Sequence, residues 1–575
     1  MSDSRYTALL EALSPDRPPR DPFRDILGPV YQRLVPAAER RRTGEFYTPD
    51  WLARIALDMT GYDGRGTLVD PACGSGVFIL QALARNPQAP VAFYDTNALA
   101  GRAARLQWSW ATGRPIESAP YRNLDSILSP PDERFDFVVG NPPWINWRNL
   151  TADLREAIAP LCDRYGLFPH RGLRARLGSG MDDLSALSVY VWADRLAHEG
   201  SRLGFILPQP LLQSEGGGAG FRRFELPGGR YLRVTGVRDF GSRQCFRGAA
   251  ARAAVVVMEV GAARTVFPVP YQSDDVECEA TPVSSAPGAP WAITRCGRAE
   301  DLARMRGSSP YRARVGVHSG GAAGIFWVRV IADLGNGVLR IANRAAEGRN
   351  SFESVVAEVE SKLVRRLLRG RDLRPGVAEP SGHILLPYED RNAGKAIPEA
   401  RLRQAYPLTW AYFDRFRDGL VDRAHYRQHF AAAGDPPWSL YNVGDYTFAP
   451  HRVAWREQAA SLQAAVIADA GTVADAKLTL VPCDSDDEAR FLAAVLNSAP
   501  ARAFVESYAV RTQISTHVLR YLAVPKFDPR NPIHAALDDS RRPLPGRDCE
   551  GAVTPADELA CRLWDLDPRH FRRSQ

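Results

Sequence analysis

Along residues 43–260, short apolar runs alternate with helix-length stretches of mixed polarity. The runs at 67–70, 91–94, 135–139, 203–207, 232–237 and 253–260 are strand-sized and mostly rich in β-branched and aromatic residues. Helical stretches, such as 75–85 and 98–110, lie between the first few. Strand–helix alternation predicts an α/β fold with a doubly wound, Rossmann-like sheet that binds ligands at the carboxyl ends of its strands. The last two runs are joined by a segment without helical periodicity, which predicts an antiparallel hairpin. Residues 1–42 are Pro- and Arg-rich and read as an N-terminal arm. Gly, Ala, Pro and Ser recur over 261–290, which puts a domain boundary near 262. Beyond it the pattern is mixed α+β, with helix-like segments at 354–368, 408–422, 487–508 and 555–564. The expected division is an arm (1–42), an α/β domain (43–262), a mixed domain (263–527) and a polar tail with a short helix (528–575).

The 575 residues are 45% hydrophobic and 24% charged, the composition of a globular chain. Against 66 acidic residues stand 73 basic ones, a net +7 that permits a polyanionic partner. The excess does not locate one: residues 1–260 carry 32 basic and 28 acidic residues, and 261–575 carry 41 and 38. No apolar run approaches the roughly 20 residues that cross a bilayer, and the N-terminus has charges where a signal peptide needs its apolar core. Eight cysteines spread singly, without a CxxC pair, fit neither a disulfide framework nor a zinc site. The expectation is a reduced, cytoplasmic protein with no metal and no membrane partner.

Two segments and the two aspartates between them carry chemistry. In LVDPACGSGVFIL (68–80) a strand ends at Asp70, and Gly74 and Gly76 let backbone approach a ligand before a helix begins near Ser75. Ile79 stands where a dinucleotide fingerprint wants a third glycine, although a plain βα turn or a nicotinamide or flavin loop stays open at this point. Asp95 ends the next strand, where a carboxylate accepts both ribose hydroxyls of an adenosine-containing ligand. Asp125 falls at a further strand end, in reach of an adenine amino group. In FDFVVGNPPWINW (135–147) a strand runs into Asn141-Pro142-Pro143-Trp144. The prolines make a rigid turn, and the Asn141 side chain and Pro142 carbonyl offer two acceptors beside an aromatic plate. That set suits a planar amine.

DPACGSG followed by NPPW resembles the amino-methylating class of S-adenosylmethionine-dependent DNA methyltransferases. TGEFYTPDWLARIALD (43–58), upstream, is similar to the first cofactor motif of their gamma class. The resemblance continues through residues 183–212 and 239–260. More loosely, 316–328, 367–375, 406–416, 438–457, 494–508 and 513–527 resemble the recognition domains of TaqI-like and type IIG enzymes. It implies a catalytic domain at 43–262, a target-recognition domain at 263–527 and S-adenosylmethionine as cofactor. The implied partner is double-stranded DNA, with a separately encoded restriction endonuclease or defence partner. Tyr47, Thr48 and Pro49 would hold the methionine side, with Asp70, Ala72 and Gly74 beneath it and Gly76 opening the helix. Asp95 would hold the ribose, and Asp125 with Ile127 the adenine. Asn141 and Pro142 would accept the hydrogens of a flipped-out adenine amine, with Pro143 stiffening the turn. Trp144 and Phe246 would stack on the base, one on each face.

In the mixed half, Lys362, Arg365, Arg366, Arg369, Arg371 and Arg374 cluster at near-helical spacing and are candidate phosphate contacts. Arg415, Arg417, Arg423 and Arg427 form a weaker second cluster. Glu360-Ser361-Lys362 matches the E-x-K part of a nuclease site but has no partner aspartate on a strand, so a restriction–methylation fusion is rejected. Cytosine-N4 methylation, commonly with Ser in place of Asn141, remains as an alternative. RNA or protein-glutamine methylation and a catalytically idle DNA-binding module are disfavoured.

Overall fold

The computed structural model describes the chain apart from residues 1–6, 8, 9, 11, 12, 14–16, 37–39, 41–43, 168–182, 242, 247–251, 349, 390–393, 510–513, 515, 539–553 and 572–575. It divides into two units, Met1–Glu300 and Asp301–Gln575.

In the first unit, all three residues of β1 (Leu68–Asp70) are buried. β1 pairs in parallel with β2 (Val91–Asp95) and β4 (Phe135–Gly140), aligning Leu68 with Val91 and Phe137. β3 (Tyr121–Asn123) adds beyond β2 and β5 (Ala197–Pro208) beyond β4, both in parallel. The expected hairpin forms from β6 (Arg230–Asp239) and β7 (Ala253–Gly261), with β7 antiparallel to β5. The resulting order, 3-2-1-4-5-7-6, changes direction between β1 and β4, where an open sheet leaves a crevice.

Strand alternation sends side chains to both faces. Leu203, Phe205 and Leu207 enter one core with the helix Leu184–Arg195, while Ile206 enters the other with the helices Asp50–Thr60 and Val77–Arg85. Val138 and Val139 divide in the same way.

Two boundaries differ from expectation. The first unit runs to Glu300, not 262, because β8 (Val269–Ser273), β9 (Val276–Pro282) and β10 (Trp291–Arg295) extend the sheet from β6. The Gly/Pro/Ser recurrence there marks the turns of this meander rather than a linker. Nor is 1–42 simply an arm. Helix α1 (Leu27–Leu34) buries Leu27 and Tyr31 against Ala103, Leu106 and Trp110 of the helix Ala98–Thr112.

The second unit holds a six-stranded and a four-stranded sheet. The helix expected over 354–368 is instead two strands, Val356–Glu360 and Val364–Leu368, joined by a 3-10 turn. Buried Val355, Val359, Leu363 and Leu367 recur every four residues. That spacing lies on one face of a helix and, being even, on one face of a strand as well. The segment 408–422 forms the helices Pro407–Arg415 and Arg417–Val421. The segment 487–508 divides at Ser498, with Pro500 in the first turn of the second helix. No helix among the described residues is long and apolar enough to cross a membrane.

Candidate active site

Three strand-end loops join into one wall. After β1, the Ala72 amide donates to Asp70 Oδ1 at 3.1 Å. Gly74 (φ +53°) and Gly76 (φ +94°) are left-handed, so the helix starts only at Val77 rather than near Ser75. The Gly74 amide donates to Asp95 Oδ2 and the Asn97 amide to Asp95 Oδ1, both at 2.7 Å. Asp125 Oδ1 accepts from the amides of Ile127 and Leu128, each at 2.9 Å. Ser126 Oγ donates to the Pro71 carbonyl at 2.7 Å, fastening the third loop to the first.

These loops enclose a cavity of 460 Å³ whose lining includes Tyr47, Thr48, Asp70, Ala72, Gly74, Asp95, Asp125, Ile127, Asn141 and Pro143. Pro49 and Gly76 are placed beside it: Pro49 caps the helix Asp50–Thr60, and Gly76 packs against Ala104. Glu45, Asp70, Asp95 and Asp125 are the charged side chains of the lining, and no basic one joins them among the described residues. Burial holds the Asp70 carboxyl well above the usual carboxylate range and pushes Asp95 up to about 6. A cavity of this kind is complementary to a cation. A dinucleotide would bring its diphosphate against four carboxylates, and the Gly74 amide is already given to Asp95. The sulfonium and ammonium of S-adenosylmethionine fit this lining, and hydroxyls and an amine can donate to its acceptors.

The first cofactor motif and the turn after β4 interlock. Gly44 (φ +70°) lets the chains approach, since a Cβ there would lie 2.6 Å from Ile145 Cγ1 and 3.0 Å from Trp144 N. Asn141 Nδ2 donates to the Phe46 carbonyl at 2.7 Å. This fixes the amide and leaves Asn141 Oδ1 buried without a hydrogen-bond partner. An unpaired buried acceptor costs about 1–3 kcal/mol unless something donates to it. Gly140 meets the end of β1, where a Cβ would come within 2.8 Å of Asp70 Oδ1.

The expected aromatic sandwich is not set. Trp144 and Phe246 contact each other edge-on, with centroids 5.1 Å apart and planes at 80°, and Phe46 packs on both. A base between two rings needs about 7 Å between parallel planes, twice an aromatic contact distance. Packing among three buried or half-buried rings therefore closes the space here. Pro142 is buried beside Asn141 but does not line the cavity.

Sequence reasoning passed over Glu45, Asn97, Asp25, Ser75 and Gln107. Glu45 lines the cavity and accepts from Tyr31 Oη at 2.9 Å and Asn97 Nδ2 at 3.3 Å. Its one available signal was an acidic residue inside the GEFYTP motif.

The Lys362–Arg374 cluster of the second unit does not sit on a helix face. Arg365 and Arg366 lie on the strand Val364–Leu368, and Lys362, Arg369, Arg371 and Arg374 lie on the turns and the short strand around it. Arg369 is buried, paired with Glu347 and Asp372, so it is not a surface contact. Arg366 pairs with Asp469 at 2.8 Å, and Lys362, Arg366, Arg371 and Arg374 are exposed. Of the second cluster, Arg415 pairs with Glu353, Arg417 pairs with Glu399, Arg423 is buried, and Arg427, like Arg415, is exposed. Glu360 is no nuclease ligand. Its carboxylate accepts from the amides of Leu408 (3.0 Å) and Thr409 (2.9 Å) at the start of the helix Pro407–Arg415.

Residues 23–161 match the N-6 DNA Methylase family model. The chain is 26% identical over 120 residues to the type II methyltransferase M.VspI of a Vibrio species, covering 20% of this chain and 29% of that protein. It is 30% identical over 99 residues to ribosomal RNA large subunit methyltransferase G of Serratia proteamaculans, covering 17% and 26%. It thus spans under a third of either relative's length. The type IIL restriction–modification enzyme MmeI, solved in complex with DNA, shares the fold at a TM-score of 0.55 and 13% identity, over 96% of this chain and 80% of that one. The matched stretch begins inside the supposed arm, just ahead of α1. The stretch that matches the N-6 DNA Methylase family model thus contains the strand-end loops that build this cavity.

Proposed function

We propose that the chain is a site-specific DNA methyltransferase acting on the N6 amine of a flipped-out adenine in duplex DNA, the modification component of a restriction–modification or phage-defence system. The observation that carries this reading is Asn141 Oδ1, a buried acceptor without a partner at the edge of an acidic cavity. S-adenosylmethionine supplies an electrophilic methyl group. The protein's task is to orient the amine. An exocyclic adenine nitrogen shares its lone pair with the ring and is a poor nucleophile. Acceptance of its hydrogens by Asn141 Oδ1 and the Pro142 carbonyl draws it toward tetrahedral geometry and restores the lone pair. The Phe46 carbonyl orients Asn141 for this by holding Nδ2. Such a nitrogen is out of reach inside a duplex, so the base leaves the stack, at a cost of a few kcal/mol. In this reading Trp144 offers the stacking plate once the Phe246 ring leaves its edge. Asn rather than Ser at 141 favours adenine over cytosine. Residues 301–575 are read as the main part of the target-recognition domain.

The test is modification-sensitive sequencing of DNA from cells expressing the wild type or Asn141→Ala. A methylated adenine motif found only with the wild type is expected. Methylcytosine would shift the reading to cytosine-N4, and no modification in either would overturn it. In vitro, Asn141→Ala is expected to lower the rate about 10²–10³-fold, the scale for removing one hydrogen-bonding group that acts on the reacting centre.

A further inference from the structure

We infer that residues 23–34 form a clamp that positions the cofactor-binding walls, with Asp25 and Gln107 as positioning residues; this rests on the reading of the cavity as the S-adenosylmethionine site. On its β2 side the loop from Cys73 to Gly76 is held by the Cys73 amide, which donates to the Tyr94 carbonyl at 2.8 Å, and by the Gly74 amide bonded to Asp95; Gly74 and Gly76 bring no side chains to its other side. Ser75, between them, is the handle. Its hydroxyl donates to Asp25 Oδ2 at 2.6 Å, and its carbonyl accepts from Gln107 Nε2 at 2.8 Å. Gln107 Nε2 also donates to Asp25 Oδ1 at 2.9 Å, and Gln107 Oε1 accepts from the Ile26 amide at 2.9 Å. Asp50 Oδ1 in turn accepts from the Asp25 amide at 3.0 Å. Gly28 is required by this approach, since a Cβ would fall 2.3 Å from Asp25 Oδ2 and 2.6 Å from Ser75 Oγ.

The far end of the segment holds the other motif. Tyr31 Oη donates to Glu45 Oε2 at 2.9 Å, and Gln32 Nε2 donates to the Tyr47 carbonyl at 3.0 Å. Glu45, Tyr47 and Ser75 all line the cavity. One short stretch is therefore bonded to two cavity-lining stretches that are distant in sequence. Asp25 is buried, and its carboxylate accepts from the Gly28 amide, Ser75 Oγ and Gln107 Nε2, all uncharged. A buried carboxylate without a cation is costly where apolar contacts would give packing alone. Directional bonds instead fix where the loop stands.

The test uses the full-length wild type, Asp25→Asn, and Ser75→Ala, which removes the hydroxyl without disturbing the buried carboxyl's other bonds. S-adenosylhomocysteine binding is measured by calorimetry, duplex binding by anisotropy without cofactor, and amide exchange over residues 73–78. Each variant is expected to bind S-adenosylhomocysteine about tenfold more weakly, the scale of one charge-assisted hydrogen bond. Exchange of 73–78 should quicken, with duplex affinity and melting temperature retained. The double variant should be no weaker than the worse single one, since both remove the same bond. Wild-type affinity in both single variants overturns the clamp alone. Parallel losses in melting, duplex binding and ligand binding reduce it to a packing role and overturn it too. Failure of the wild type to bind S-adenosylhomocysteine overturns the cavity reading and the clamp together.

Discussion

Charge is buried in the cavity wall of the first unit and in the packing of the second, and the two are answered differently. In the first, Asp70 and Asp95 stand in a cavity wall where no basic side chain faces them among the described residues. In the second, buried Arg423 and Arg452 are committed to the protein itself. Arg423 donates to the carbonyls of Leu420 and Ser319 at 3.0 Å, Ser439 at 3.1 Å, and Pro437. Arg452 donates to the carbonyls of Thr447 and Asp469. Burial pushes both guanidiniums down to about 10. Desolvating a charge is costly, so each must be answered. Where the fold's own carbonyls answer it, the charge is scaffold. Where carboxylates line a cavity and no basic side chain faces them, the wall is shaped for a ligand.

The largest effect that would break this contrast is on stability. Arg423→Ala removes four donor contacts at once and leaves carbonyls unpaired. Hydrogen bonds to charged groups contribute roughly 1.5–3 kcal/mol each, so a loss of at least about 3 kcal/mol is expected from denaturant unfolding of the whole chain. Ligand binding to the first unit should change little. A stable Arg423→Ala protein that had lost duplex binding would show the buried arginine to be functional instead.

Next comes Asp95. Asp95→Ala is expected to weaken S-adenosylhomocysteine binding tenfold or more, at unchanged or improved stability. The sign follows from its pKa. Burial raises the carboxyl from 3.8 to about 6, so between those values the folded chain holds a proton that the unfolded chain has lost. Its contribution to stability therefore falls as pH rises from 4 to 6 and stays low above. Ligand binding runs the other way, because hydroxyl donors and a cation favour the ionised form. Affinity should rise through pH 6 and level off near 7, with a proton released on binding in calorimetry at pH 6. A flat profile that becomes sloped in Asp95→Ala would contradict the assignment.

How far the sequence reveals all this follows the same division. The sheet and its loops were readable because strand–helix alternation, a Gly-x-Gly turn and the Asn141 turn are local signals, each complete within about ten residues. The Asp25 clamp was not, since its bonds join residues 50 and 82 positions apart. The closed packing of Trp144 on Phe246 was hidden too, because ring orientation is settled by neighbours such as Phe46 that the motif does not specify. Over 354–368, a spacing of four satisfied both secondary structures, and pairing of Ile341 with Ala357 decided for the strand. Burial of Arg369 could not be foreseen from a run in which every neighbouring cation looked equally exposed.

The smallest effects test that last point. Lys362, Arg366, Arg371 and Arg374 are exposed, and Arg366 shares its charge with Asp469. Exposed ion pairs contribute about 0–1 kcal/mol, so Arg366→Ala should scarcely alter unfolding. If these cations meet phosphates, each substitution should weaken duplex binding for all sequences alike. It should also flatten the dependence of log affinity on log salt by about one unit. Arg369→Ala is the control with the reverse signature, because its charge is already answered by Glu347 and Asp372. It should cost stability and leave the salt slope alone. Equal slopes for wild type and all four exposed variants would place the duplex on another face of the second unit, while leaving the buried arginines as scaffold.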